Sequence, residues 1–141
     1  MYYFAYGSNL DEKQMVFRCP EARFVGIALL ENHRFIINDR GVATVITDAA
    51  SVVHGTVWEL NETDLKSMDA FEGVQERLYD RKTVSVILAK TVLGNVLIYA
   101  ATDSKPGLPR KNYMEKIIKA AIGYNFPADY IDQLKTWTKK K

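Results

Sequence analysis

Strand-forming runs rich in Val, Ile, Phe, Tyr and Thr fill the first two thirds of this chain. Helical periodicity gathers at its end. This order excludes the regular strand–helix alternation of a doubly wound fold. It predicts an α+β domain with a curled, mostly antiparallel mixed β-sheet, barrel-like, and flanking helices. Tyr2–Tyr6 reads as a strand closed by the Gly7-Ser8-Asn9 turn. Asp11 is placed to cap a short helix through Phe17, stopped by Cys19-Pro20. Arg23–Asn38 reads as two strands with a polar break at Asn32, and Val42–Thr47 as another strand after the Asp39-Arg40-Gly41 turn. Val52–Leu60 alternates, with Val53, Gly55, Val57 and Glu59 on one side and His54, Thr56, Trp58 and Leu60 on the other.

Asn61 then caps a helix that ends at Gly73. Tyr79–Lys90 and Val96–Thr102 read as a strand pair joined near Gly94-Asn95. Beyond Pro109, Lys111–Tyr124 carries an apolar face at positions 113, 117, 120, 121 and 124. Pro127 opens a last helix with Tyr130, Ile131, Leu134 and Trp137 turned inward. No repeat or linker interrupts the 141 residues, so residues 1–141 are expected to form one domain.

Charge and cysteine usage remove several function classes. Lys and Arg number 19 and Asp and Glu 17, a net +2. Setting aside Lys139, Lys140 and Lys141 leaves 16 against 17, so the positive balance is a property of the tail and argues against a nucleic-acid surface. No apolar run approaches the roughly 18 residues of a membrane span. The N-terminus has neither a basic leader nor a small-residue cleavage site, so no signal peptide is expected. The single cysteine, Cys19, forms no internal disulfide and suits a reducing, cytoplasmic setting, where it reads as a small buried hydrophobe. Two histidines and one cysteine, distant in sequence, make no zinc signature.

The helix over residues 62–72 carries the most informative anomaly. At about 100° per residue, Glu72 falls between Leu65 and Met68 on the apolar stripe. It also lies in the last turn, where the helix dipole disfavours a second negative charge. Burial and dipole both raise a carboxyl pKa toward neutrality, where general acid–base catalysis works best. The competing reading has Glu72 rotate to solvent or pair with Arg77 or Arg81. Gly7, Ser8 and Asn9 could supply amides and polar side chains for an anion-binding nest, although any strand-ending turn uses the same residues. Tyr99 and Tyr113 sit at apolar positions, where a hydroxyl needs a partner. Arg18, His33 and His54 are candidate contributors that no spacing promotes, and Ser8 has no identifiable histidine–acid pair.

Together these segments resemble the γ-glutamylcyclotransferase family. The resemblance runs through Phe4-Ala5-Tyr6-Gly7-Ser8-Asn9-Leu10, Arg18-Cys19-Pro20, Gly41–Val45, Gly55-Thr56-Val57-Trp58 and Met68-Asp69-Ala70-Phe71-Glu72-Gly73-Val74, then Tyr79, Tyr99 and the Tyr113–Leu134 segment. It covers essentially the whole chain in order. It implies release of 5-oxoproline from a γ-glutamyl amide, with Glu72 as catalytic base and acid. It also implies substrate binding by Tyr6, Gly7, Ser8, Asn9, Leu10, Tyr79, Tyr99 and Tyr113, and no metal or cofactor. The implied partner is a small γ-glutamyl molecule, and a homodimer is compatible with the resemblance. The alternatives are a relative acting on isopeptide-type γ-glutamylamines and a non-catalytic binding module of the same fold. One pocket is expected to draw on residues from both ends of the chain.

Overall fold

In the computed structural model, which describes residues 1–138, five strands close into a barrel in the order β1-β3-β2-β4-β5. They are β1 (Tyr2–Ala5), β2 (Arg23–Ile37), β3 (Ala43–Glu59), β4 (Tyr79–Leu88) and β5 (Thr91–Ala101). Every pairing is antiparallel except the closing contact of β1 with β5, at Tyr3 and Leu97. The helices are α1 (Glu12–Arg18), α2 (Glu62–Glu72), α3 (Tyr113–Gly123) and α4 (Ala128–Thr136), and a 3₁₀ turn spans Ser8–Leu10. This is the expected α+β, barrel-like architecture. No helix among the described residues is long and apolar enough to cross a membrane. The tail at 139–141, on which the charge argument turned, lies outside the described residues.

Strand alternation divides the core in two. Phe4 and Tyr6 of the N-terminal segment, with Val96 and Ile98 of β5, join the cluster that receives Met114, Ile117, Tyr130 and Leu134 from α3 and α4. Their neighbours Tyr3, Ala5, Leu97 and Tyr99 join Met15, Cys19, Trp58 and Met68, the layer beneath α1 and α2. The period of two thus lets β1 and β5 hold one layer of helices on each face. Cys19 is buried there, and burial pushes its thiol up to about 12, so it behaves as the expected small hydrophobe.

Helix boundaries follow their caps. The Asn61 side chain accepts the Asp64 amide at 2.7 Å, and Gly73 ends α2 in the left-handed conformation at φ 67°. Asp11 occupies the cap position of α1, but its side chain makes no capping bond.

Three strand expectations are corrected. Residues 23–37 form one strand: Asn32 takes φ 61° and bulges between Glu31 and His33, so the polar break bends the strand without ending it. Residues 43–59 are likewise one strand, with Asp48–Ser51 between the pairs His33–Thr47 and Glu31–Val52. The β4–β5 turn falls at Ala89-Lys90, both at positive φ, and not at Gly94-Asn95. A two-residue hairpin needs left-handed backbone at both positions, which residue preference assigned to Gly and Asn. Here pairing of Leu88 with Thr91 imposes it on Ala and Lys, while Asn95, at φ 56°, sits in a bulge.

Candidate active site

A cavity of about 560 Å³ opens where the turn after β1, the end of α2, the start of β4 and the start of α3 meet. Tyr6, Gly7, Ser8, Asn9, Glu72, Tyr79, Tyr99 and Tyr113 all line it, so residues from both ends of the chain converge on one site. Leu10 does not line it. Its side chain is buried in the core and its amide donates to the Gly7 carbonyl at 2.9 Å, so the binding role expected from the resemblance is corrected to an anchor for the turn. A 3₁₀ turn directs its third side chain inward once the first two face a cavity.

Glu72 is the last residue of α2, ahead of the left-handed Gly73. Among the described residues no side chain hydrogen-bonds or ion-pairs with its carboxylate. Arg81 is instead engaged by Asp69 through two hydrogen bonds, which removes one of the partners considered for Glu72. Burial pushes the Glu72 carboxyl up to about 7, and Arg18 opposes that shift only in part. Glu72 thus lies on the sheltered face of α2, as its spacing predicts, though not every residue beside it does. Met68 is fully buried, whereas Phe71 is exposed at the pocket rim under the Arg18 guanidinium, 4.8 Å from the ring centre.

The turn after β1 is held by its own side chains. Asn9 is buried; its Nδ2 donates to the Tyr3 hydroxyl at 2.9 Å, and its Oδ1 accepts from Gln14 at 3.0 Å and Arg18 at 3.3 Å. Gln14 Nε2 also donates to Ser8 Oγ at 2.7 Å. The Asn9 amide is thus committed to positioning Tyr3, Arg18 and the turn. Gly7 sits in a close approach: a Cβ there would lie 3.1 Å from Ala43 Cβ, tight enough that β3 would have to give by a few tenths of an ångström.

The tyrosines divide by where their protons go. Tyr6 donates to the Tyr99 carbonyl at 2.6 Å, Tyr79 to the Ala43 carbonyl at 2.7 Å, and Tyr99 to Asp69 Oδ1 at 2.7 Å. These three shape the wall. Tyr113 accepts the Ala43 amide at 3.0 Å and is also hydrogen-bonded to the Ser8 side chain, whereas Tyr3 accepts from Asn9, which leaves the Tyr3 proton without an acceptor among the described residues. Burial raises both hydroxyls above the ordinary phenol value, with Glu72 adding to the rise, so they remain neutral donors.

Sequence reasoning missed Tyr3, Gln14 and the cations Arg40, Arg110, Lys111 and Lys116, all of which line the cavity. Lys116 was within reach, since it lies three residues after Tyr113 on the same helical face. Arg18 does belong to the site. The two histidines do not: His33 Nδ1 bonds back to the Glu31 carbonyl at 2.8 Å, and His54 packs on the Tyr130 ring at 4.5 Å.

Asp69 receives both Arg81 and Tyr99 and lies three residues before Glu72, so it ties α2 to β4 and β5. Tyr99→Phe is expected to cost about 1 kcal/mol in urea unfolding, the worth of one hydrogen bond to a charged acceptor shared with a second donor. An unchanged transition midpoint would remove this anchor.

A family model described as the AIG2-like family matches residues 52–134. A Mus musculus protein named gamma-glutamylcyclotransferase is 30% identical over 146 residues, covering 94% of this chain and 76% of its own. Its Homo sapiens counterpart is 29% identical over 143 residues with the same coverage. A solved structure named gamma-glutamyl cyclotransferase superposes with a TM-score of 0.90 at 27% identity, covering 100% of this chain and 89% of that one.

Proposed function

We propose, because this chain belongs to the AIG2-like family and is an enzyme related to the γ-glutamylcyclotransferases, that it cyclises a γ-glutamyl amide to 5-oxoproline. The observation that carries the assignment of roles is Glu72: a carboxyl in a cavity wall, without a protein partner among the described residues, with its pKa pushed up to about 7.

The α-amine of the glutamyl group attacks the γ-carbonyl carbon, forming the ring N–C bond. The tetrahedral intermediate then expels the amide nitrogen as an amine. Glu72 takes the proton that the attacking nitrogen loses and returns it to the departing nitrogen, so the base ends the cycle as it began. Closing a five-membered ring needs orientation above all, and well-oriented intramolecular attack reaches very large effective molarities. The tyrosine-lined cavity supplies that orientation. Negative charge on the γ-oxygen, or on the substrate α-carboxylate, meets the backbone amides of the Gly7–Asn9 turn and the hydroxyls of Tyr3 and Tyr113.

The deciding experiment incubates the protein with a panel of γ-glutamyl amino acids and γ-glutamylamines and measures 5-oxoproline by mass spectrometry. Product from at least one member is expected. No product, with thermal stabilisation by the same compounds, would make this a binding module. The pH profile adds a second expectation. Glu72 must be ionised to accept a proton, so kcat/KM should rise as pH passes upward through about 7. A profile flat across that range would remove the carboxyl from the role.

A further inference from the structure

The turn that carries Ser8 and Asn9 is tied to two helices through one side chain, Gln14 of α1. Gln14 Nε2 donates to Ser8 Oγ at 2.7 Å and to Asn9 Oδ1 at 3.0 Å. Its Oε1 accepts from Lys116 Nζ of α3 at 3.0 Å. Lys116 also stands 3.9 Å from Asp11 Oδ2, so two side chains at the start of α1 hold its ammonium beside the turn.

The chemistry of these groups gives the bonds a direction. A primary amide can present oxygen or nitrogen to a neighbour with almost the same shape, whereas an ammonium only donates. Lys116 therefore draws the Gln14 oxygen toward itself and turns the Gln14 nitrogen toward Ser8 and Asn9. Arg18, a second group that only donates, reaches Asn9 Oδ1 at 3.3 Å, so Asn9 Nδ2 faces away and donates to the Tyr3 hydroxyl at 2.9 Å. Donation thus runs from the two cations toward the cavity. Ser8 receives Gln14, Tyr113 receives the Ala43 amide, and the two hydroxyls are bonded to each other. That pair has two protons and one bond between them, so one proton is left over whichever way the bond runs. Tyr3, which accepts from Asn9, keeps its own. With the Gln14 amide reversed, Ser8 would spend its proton on Oε1, Tyr113 would donate to Ser8, and the pair would have nothing to offer an anion.

Resting on the cyclotransferase reading above, we propose that Lys116 is a positioning residue for that reaction. It acts through Gln14: by fixing which way the Gln14 amide points, it makes the Ser8–Tyr113 pair a net donor toward the negative charge of the substrate. Its partner Gln14 carries the effect from α3 to the turn, and Arg18 secures the same direction at Asn9 and Tyr3. A bond to a charged acceptor is the strong kind, so the direction of one amide has a large effect on an anionic substrate.

The test uses γ-glutamyl-L-alanine and a double-substitution cycle. Lys116→Met, which keeps the length of the side chain and loses the donor, is expected to lower kcat/KM for 5-oxoproline release by about tenfold. Lys116→Arg, which still only donates, should stay within about twofold of wild type. Gln14→Leu should lose as much as Lys116→Met, and the double variant should lose no more than about twofold beyond either one. Losses that multiply would show that Lys116 acts on the substrate directly and would overturn the proposal. Full turnover in Lys116→Met, or an equal loss in Lys116→Arg, would overturn it too. A second readout needs no substrate: the Gln14 side-chain amide signal in nitrogen-15 NMR, identified by its disappearance in Gln14→Leu. It should keep its position and its protection from exchange in Lys116→Arg and lose both in Lys116→Met. An amide signal indifferent to Lys116→Met would overturn the proposal whatever the kinetics. If wild type releases no 5-oxoproline, the cyclisation reading falls and the amide signal alone decides whether Lys116 sets the direction.

Discussion

Replacing Glu72 with Gln is expected to lower kcat for 5-oxoproline release by about 10²–10⁴-fold, the usual contribution of a positioned general base. Gln keeps the volume and polarity of the side chain, so the Tyr3, Asn9 and Tyr113 contacts around it should persist. The same substitution should change stability in a pH-dependent way. The folded protein holds the Glu72 proton up to about pH 7, whereas an unfolded chain releases it near the ordinary glutamate value of 4.5. Between those values the native state binds the extra proton, so the contribution of Glu72 to stability falls as pH rises. Gln has no such loss. Relative to wild type, Glu72→Gln should therefore gain on the order of 3 kcal/mol between about pH 4.5 and pH 8. Urea unfolding at the two pH values measures it. A variant that keeps full turnover, or a stability difference independent of pH, would contradict the assignment of Glu72 as a buried base.

Gly55→Ala should be the most destabilising single-methyl change in the barrel. A Cβ at Gly55 would lie 2.3 Å from the Ala5 carbonyl oxygen and 2.5 Å and 2.7 Å from atoms of the Phe4 ring. The first of these is backbone, which no rotamer change can relieve. Gly55 sits in β3 opposite Ala28 of β2, and its neighbour Thr56 pairs with Ala5 of β1. The methyl must therefore prise β1 from β3, at a cost of about 3 kcal/mol and roughly 10 °C in Tm. β1 leads directly into the Gly7–Asn9 turn, so KM should rise as well. Gly94→Ala is the matched control. A Cβ there meets only Ser85 Oγ, at 3.7 Å, and the change should stay within about 0.5 kcal/mol. Equal transition midpoints for the two variants would show that β1 yields to the methyl without loss.

Much of this layout was legible because its causes are local. Asn61 and Gly73 bound α2 because a side-chain acceptor and a left-handed residue are each other's only requirements at the two ends. Glu72 stood out because a helix repeats every 3.6 residues and its stripe was otherwise apolar. The strand breaks were misplaced because pairing across the sheet overrode residue preference. Asn32 and Asp48–Ser51 look like chain reversals in isolation, yet in the barrel they are accommodated as bulges along continuous strands. Leu10 was assigned with its neighbours because the turn reads as a unit, while in space it faces the core behind that turn.

By itself, the sequence determined the fold class, the helix ends, the inert cysteine and the carboxylate on the wrong face of its helix. Each depends on periodicity or on contacts within a few residues. Only the tertiary structure decided which tyrosines donate to fixed acceptors in the wall, that the Asn9 side chain positions its neighbours, and that Arg110 is bonded to the turn that carries Arg40. Those outcomes depend on pairs far apart in the chain, such as Ala43 with Tyr113 and Arg40 with Arg110. Packing of α3 and the segment before it against the start of β3 brings them within hydrogen-bond reach, and no local pattern encodes that approach.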